Sequence, residues 1–194
     1  VFTREELGLP KNGFVFCCFN NNYKITPQVF DVWMRLLERV ENSVLWILSE
    51  NINISENLKN EATIRGIDFN RIVFAERIKM NEHLARQKVA DLFIDTFPYT
   101  GHTTVSDALW VGLPVLTRIG KSFASRVSAS LLNAIDLSVL VTNSEKEYED
   151  LAIELATNSA KLEEIKNKLK NNRNTKPLFN TQIFARNIEK AYSL

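Results

Sequence analysis

Short runs that are apolar at every position constrain this chain most. Residues 13–19 read Gly-Phe-Val-Phe-Cys-Cys-Phe and residues 44–48 read Val-Leu-Trp-Ile-Leu. A strand with one wet face alternates polar and apolar side chains. A run apolar at successive positions is a strand covered on both faces, as in a parallel sheet between helix layers. Further strands are expected at 71–74, 92–95 and 114–117, with 138–141 as a sixth at an edge. Amphipathic stretches separate them. Thr26-Pro27 has the form of an N-cap followed by proline at the first helical position, and Val29, Phe30, Trp33, Leu36 and Leu37 then recur at helical spacing. Other helices are expected over about 54–65, ended by Gly66, and over about 80–89, 104–111 and 122–133. From Ser144 onward the pattern is helical throughout, over about 145–157, 160–170 and 180–192. Strands alternating with helices predict an α/β fold on a mostly parallel sheet of about six strands.

Composition narrows the partners. Lys plus Arg number 24 and Asp plus Glu 23, a net charge of +1, so there is no chain-wide basic field for nucleic acid. The apolar runs are strand-sized, too short to span a membrane. Val1-Phe2-Thr3-Arg4-Glu5-Glu6 turns polar at its third residue, unlike a signal peptide. The opening lacks an initiator Met and reads as a boundary within a larger protein. Cys17 and Cys18 are adjacent and make a poor disulfide framework, which points to a reducing, cytoplasmic compartment. Between Lys161 and Lys176 six Lys or Arg face two Glu, a local excess of +4. A solvated helix face is the expected reading, and a partner-binding patch is the alternative.

Familiar nucleotide and metal motifs are missing. No G-x-G-x-x-G occurs, and Gly120-Lys121-Ser122 lacks the upstream glycine of a phosphate-binding loop. His83 and His102 are the only histidines, without zinc-ligand spacing. The informative segment is 97–107, Phe-Pro-Tyr-Thr-Gly-His-Thr-Thr-Val-Ser-Asp. It follows a strand and opens a helix, at the carboxyl edge where open parallel sheets bind ligands. Gly101 permits close approach, and Thr103 and Thr104 set hydroxyls beside unpaired helix amides, an arrangement suited to phosphate. Asp107, one turn on, is able to accept two hydrogen bonds from a ribose diol. A plain Thr N-cap with a dipole-favoured Asp is the alternative. Lys24, after the first strand and beside Asn21, Asn22 and Tyr23, suits a diphosphate as a point charge; a surface loop lysine is the alternative. His83 opens a helix after the third strand and is placed to meet a base or ribose, or to stay a partly exposed histidine. Three strand-end loops thus converge on one type of ligand.

Ordered blocks then carry a resemblance. They are Cys18-Phe19-Asn20 through Tyr23-Lys24-Ile25, Asn42-Ser43-Val44-Leu45-Trp46-Ile47-Leu48, Asn70-Arg71-Ile72-Val73-Phe74, Gly101-His102-Thr103-Thr104 with Asp107, Leu109-Trp110, Gly112-Leu113-Pro114, Ala124-Ser125-Arg126-Val127, Glu147-Tyr148-Glu149-Asp150 and Pro177-Leu178-Phe179-Asn180-Thr181. In them the chain resembles the carboxyl-terminal half of the catalytic region of O-GlcNAc transferases, a family that includes bacterial SPINDLY-type homologues. The resemblance implies a single Rossmann-like three-layer domain over 1–194, with about 144–194 as an all-helical tail. This would be the donor-binding half of a GT-B glycosyltransferase, cut from a larger tetratricopeptide-repeat protein. It implies an inverting transfer of GlcNAc from UDP-GlcNAc to Ser or Thr hydroxyls, with no cofactor and no metal. Lys24 would support the leaving diphosphate, and the catalytic histidine would lie outside this chain. His102, Thr103 and Thr104 would hold the diphosphate, Asp107 the ribose and His83 the uridine. Ile78 and Lys79 would meet the base through their backbone, and Asn21, Met80 and Arg86 complete the expected donor-binding set. The partners implied are a nucleotide-sugar and an acceptor protein or peptide bound through the upstream region, with no nucleic acid and no membrane.

The chain departs from the animal enzymes at two places, with Asn21 where they carry Gln and Met80 where they carry Lys. Plant SPINDLY, which uses GDP-fucose, lacks the His and Asp of the G-H-T-T-x-x-D block and so resembles the chain less. Alternatives are the donor half of a related UDP-glucose or GDP-fucose protein glycosyltransferase, a non-catalytic nucleotide-binding module, or an interaction domain using the basic stretch.

Overall fold

The computed structural model describes residues 1–49 and 51–193. Six parallel strands form one sheet: β1 (Val15–Cys18), β2 (Val44–Leu48), β3 (Ile72–Ala75), β4 (Leu92–Ile94), β5 (Val115–Arg118) and β6 (Val141–Thr142), in the order β3-β2-β1-β4-β5-β6. The helices between them are α1 (Pro27–Arg39), α2 (Ile52–Ile64), α3 (Met80–Arg86), α4 (Thr103–Val111) and α5 (Val127–Ala134). Three more follow, α6 (Glu145–Thr157), α7 (Ser159–Asn172) and α8 (Thr181–Tyr192). The three-layer α/β architecture is the one expected. From β1 the chain winds outward to β3, returns past its start to β4 and winds outward the other way. β1 therefore pairs with both β2 (Phe16 opposite Leu45) and β4 (Phe16 opposite Leu92). The connections leave β1 and β4 in opposite directions, and that divergence opens a crevice at their carboxyl ends.

Burial explains the apolar runs. All four residues of β1 are buried, as are Val44 to Ile47 of β2, because helices cover both faces. The predicted stripe of α1 is buried, and Val32 and Met34 join it because α1 also packs against α6. Trp33 of α1 donates its indole N–H to the Tyr148 hydroxyl of α6 at 3.3 Å. Tyr148, Ala152 and Leu155 of α6 and Leu162, Ile165 and Leu169 of α7 belong to the main core. Among the described residues α8 is the one α-helix that buries no side chain.

Element ends differ from expectation for local reasons. α2 begins at Ile52 because the Asn51 side chain caps it, accepting from Asn53 N at 2.9 Å. The helix expected at 122–133 is split: Phe123–Ser125 form a 3₁₀ turn, and α5 starts after Arg126. Residues 87–89 likewise tighten into a 3₁₀ turn after α3. The sixth strand is shorter and later than 138–141, because Ser138–Leu140 coil to bury Leu140. Lysines of the basic stretch are matched within the chain: Lys161 with Glu154, Lys166 with Asp91, and Lys168 and Lys176 with Asp136. Cys17 and Cys18 are free thiols, and burial pushes both well above their ordinary range, so neither is a nucleophile. Among the described residues no helix is long and apolar enough to cross a membrane.

Candidate functional site

Two loops flank the crevice. In the first, after β1, Asn21 caps a 3₁₀ turn over Asn22–Lys24, accepting from Tyr23 N. Asn22 ties the turn to the end of β2 by donating to Leu48 O at 2.8 Å. Thr26 caps α1 as expected. These bonds fix Lys24, whose ammonium donates to Thr100 O at 3.0 Å and lies 3.9 Å from the centre of the Tyr99 ring. Both partners belong to the second loop, so the cation of one loop rests on the other.

The second loop, from Asp95 to His102, hangs on a buried carboxylate. Asp95 is fully buried; its Oδ1 accepts from Asn20 Nδ2 (2.8 Å), Thr96 N (2.9 Å) and Gly101 N (2.7 Å), and its Oδ2 from Thr117 Oγ1 (2.7 Å). Burial raises its pKa, and the hydrogen bonds from Ser128, Thr117, Gly101 and Asn20 pull the other way. Its main-chain oxygen accepts from the Tyr148 hydroxyl at 2.9 Å. Thr104 donates its hydroxyl to Asn20 Oδ1. Gly101 is needed for this packing: a Cβ there would lie 2.8 Å from both Asn20 Oδ1 and Thr104 Oγ1. Sequence reasoning placed neither Asn20 nor Asp95 in the site. The available signal was a carboxylate closing an apolar run, which is costly unless fully bonded.

His102, not a threonine, occupies the N-cap of α4, with no side-chain capping bond. The plain Thr cap is therefore not formed, and the first turn of α4 presents amides without a capping side chain. Thr103 is exposed there, while Thr104 turns its hydroxyl inward. The His102 Nε2 is buried without a protein partner, beside the rings of Tyr99 (5.5 Å between centroids) and Phe123 (6.2 Å). Asp107 lies four residues after Thr103 on the same helix face, half-buried, with its carboxyl raised by burial.

The third segment follows β3. Ile78 and Met80 are exposed, and Lys79 caps α3, its carbonyl accepting from His83 N at 2.8 Å. The His83 ring packs on Phe19, 5.1 Å between centroids, which brings α3 back toward β1. Burial first, then Arg86 and Arg77, lower its pKa to about 4. Its Nδ1 accepts from the Arg86 guanidinium at 2.8 Å, so the neutral ring carries its proton on Nε2. Arg86 is only 2% exposed and also donates to Glu76 O at 2.7 Å. Its guanidinium is thus committed to supporting His83 and the turn before α3, where sequence reasoning had placed it among donor contacts. α3 and α4 pack together, which joins this segment to the other two.

A hollow of about 1100 Å³ lies at the opposite edge of the sheet, among Gly13, Asn42, Arg71, Asp91 and Lys166. Its polar groups are used internally: Arg71 donates to the carbonyls of Leu37, Val40 and Ser43, and Asp91 accepts from Arg4 and Val15 N. The carboxyl-edge crevice instead gathers a lysine, an uncapped helix start and an unpartnered ring nitrogen. Among the described residues no three His, Cys, Asp or Glu side chains group to hold a metal ion.

The profile of Glycosyl transferase family 41 matches residues 1–188. The chain is 37% identical over 190 residues to "Probable UDP-N-acetylglucosamine--peptide N-acetylglucosaminyltransferase SEC" of Arabidopsis thaliana, covering 97% of this chain and 19% of that protein. It is 36% identical over 187 residues to the UDP-N-acetylglucosamine--peptide N-acetylglucosaminyltransferase of Caenorhabditis elegans, covering 96% of this chain and 16% of the other. The chain thus spans less than a fifth of the length of these relatives. Among solved structures, a mutant O-GlcNAc transferase of Thermobaculum terrenum superposes with a TM-score of 0.87 at 29% identity, over 93% of this chain and 35% of that one.

Proposed function

The chain belongs to glycosyl transferase family 41, and on that premise we propose that it is the donor-binding half of an inverting GT-B transferase moving GlcNAc from UDP-GlcNAc to Ser or Thr hydroxyls. The observation that carries the reading is the meeting of Lys24 with the loop that opens α4, beside an uncapped helix start. Lys24 and the α4 amides take the diphosphate, with Thr103 and the buried Nε2 of His102 beside it. Thr104 contributes its backbone amide, since its hydroxyl is given to Asn20. Asp107 accepts from the ribose diol. The Nε2–H of His83 and the backbone at Ile78 and Lys79 meet the uracil, with Asn21 and Met80 alongside and Arg86 acting through His83. In the transfer, the acceptor oxygen forms a bond to the anomeric carbon as the bond from that carbon to the β-phosphate oxygen breaks. The electron pair leaves with UDP, and Lys24 and the helix amides stabilise the growing charge.

No metal is assigned a part in this scheme. The acceptor-side base, the tetratricopeptide array and the acceptor contacts lie outside this chain in the same reading. A cytoplasmic setting is part of the proposal and accords with the free, buried Cys17 and Cys18. Transfer of radiolabelled sugar to peptide by the full-length protein, with chelator present, tests it. Transfer from UDP-GlcNAc is expected to exceed that from UDP-glucose and GDP-fucose. Preference for either of those donors, or transfer abolished by chelator and restored by magnesium or manganese, would overturn the corresponding part.

A further inference from the structure

Asn20 makes three side-chain hydrogen bonds beneath the crevice and has no assigned part in the reaction. It is 1% exposed and lies four residues before Lys24, in the loop after β1. Its amide nitrogen donates to Asp95 Oδ1 and to Thr96 Oγ1, both at 2.8 Å, and its amide oxygen accepts from Thr104 Oγ1. Each contact holds a different part of the second loop. Asp95 grips Gly101 N at 2.7 Å, immediately before the α4 cap. Thr96 donates onward to Tyr99 O at 2.7 Å, next to the carbonyl that receives Lys24. Thr104 is in the first turn of α4 itself.

The chemistry of this hub is exclusive. Asp95 offers only acceptors when ionised, and Thr104 approaches with its hydroxyl as donor. The residue between them must therefore present a donor on one side and an acceptor on the other. Asn does so within a span that Gly101 leaves just wide enough. Asp at this position would set two carboxylates together, and an apolar residue would leave Asp95 short of a donor.

We infer that Asn20 is the positioning residue of the diphosphate site, fixing the start of α4 against the Lys24 loop through Asp95, Thr96 and Thr104. The inference rests on the donor reading proposed above. It makes the phosphate end of the site depend on Asn20 most directly, because His83 is held by Phe19 and Arg86 and Asp107 lies a turn further along α4.

The test compares UDP with uridine on the full-length protein, by calorimetry and NMR titration, for wild type, Asn20→Ala, Thr104→Val, the double variant and Thr104→Ser. Asn20→Ala and Thr104→Val are each expected to weaken UDP on the order of tenfold, as for a lost buried hydrogen bond. Uridine should change by less than about twofold, because it lacks the phosphates. Thr104→Ser keeps the hydroxyl and should stay near wild type. The double variant should be little worse than Asn20→Ala alone, because the Thr104 bond is among those that Asn20→Ala already removes. Additive losses in the double variant, or equal losses of UDP and uridine, would overturn the inference while leaving the donor reading intact. A wild type that binds neither ligand would overturn both. Should Asn20→Ala fail to fold, the Thr104→Val and Thr104→Ser pair still decides: equal UDP affinity in the two would refute the inference.

Discussion

The ammonium of Lys24 donates to the main-chain oxygen of Thr100, residues 76 positions apart in the chain and brought within 3.0 Å. That contact holds a cation at the mouth of α4 without neutralising it with a carboxylate. A carbonyl partner is easily exchanged for a phosphate oxygen, which a salt bridge would not be.

Lys24 should therefore matter more to turnover than to binding. In the full-length protein Lys24→Met is expected to lower kcat on the order of 10²-fold more than UDP-GlcNAc affinity, because the cation gains most as charge grows on the leaving β-phosphate. Lys24→Arg should recover only part, since a planar fork does not take the place of a compact ammonium. Single-turnover transfer alongside nucleotide affinity measures both, and an unchanged rate in Lys24→Met would remove Lys24 from the mechanism.

For Asp107 the expected partner is the ribose. Asp107→Ala should weaken UDP about tenfold to a hundredfold, as for lost hydrogen bonds to a charged group, with little effect on free uracil. Equal losses for the two ligands would show that the carboxylate does not meet the ribose.

His83 predicts a stability profile in acid. Its pKa is about 4 in the folded chain against an ordinary value of 6.5. Above pH 6.5 the ring is neutral whether the chain is folded or not, and its contribution is complete. As pH falls from 6.5 toward 4 the unfolded chain takes up the proton first, so folding loses stability across that window and the loss levels off below it. Urea midpoints of wild type and His83→Gln, compared between pH 7 and 4, should converge as pH falls. Parallel profiles would mean that His83 titrates normally in the folded protein.

Gly101→Ala should destabilise the protein although the residue sits in a loop. The new methyl would lie 2.6 Å from Val105 Cγ2 and 2.8 Å from Asn20 Oδ1 and Thr104 Oγ1, an overpacking that costs about 1–3 kcal/mol. Thermal unfolding reads this directly, and a midpoint equal to wild type would show that the loop relaxes freely.

Strands and helices were legible because their covering layers leave a local trace: Val15 to Cys18 are all buried, and all are apolar but for thiols. The junction at the carboxyl edge was legible too, since the segment up to Asp107 joins β4 to α4 whatever its partners. The support beneath it was not. Asn20 and Asp95 are 75 residues apart, and each alone reads as an ordinary polar residue ending a strand. The burial of Arg86 was hidden for a related reason: it depends on the tertiary contact of its guanidinium with Phe19 and Trp46, 5.2 and 5.9 Å from the ring centres. At 138–141 the edge strand expected from the sequence gives way to a turn over Ser138–Leu140 that buries Leu140, and the strand itself is Val141–Thr142.

The strand order also governs the birth of the protein. β2 and β3 follow β1 directly, so that half of the sheet is able to assemble on the ribosome while β4 is still unmade. Until β4 arrives, the inner edge of β1 is a buried-type surface with unpaired amides and carbonyls, the kind of edge that other chains add to. Joining the halves then closes a long loop, a slow step compared with neighbouring pairs. The nascent chain is therefore most exposed to misassociation along β1, the same strand whose end carries Asn20 and Lys24.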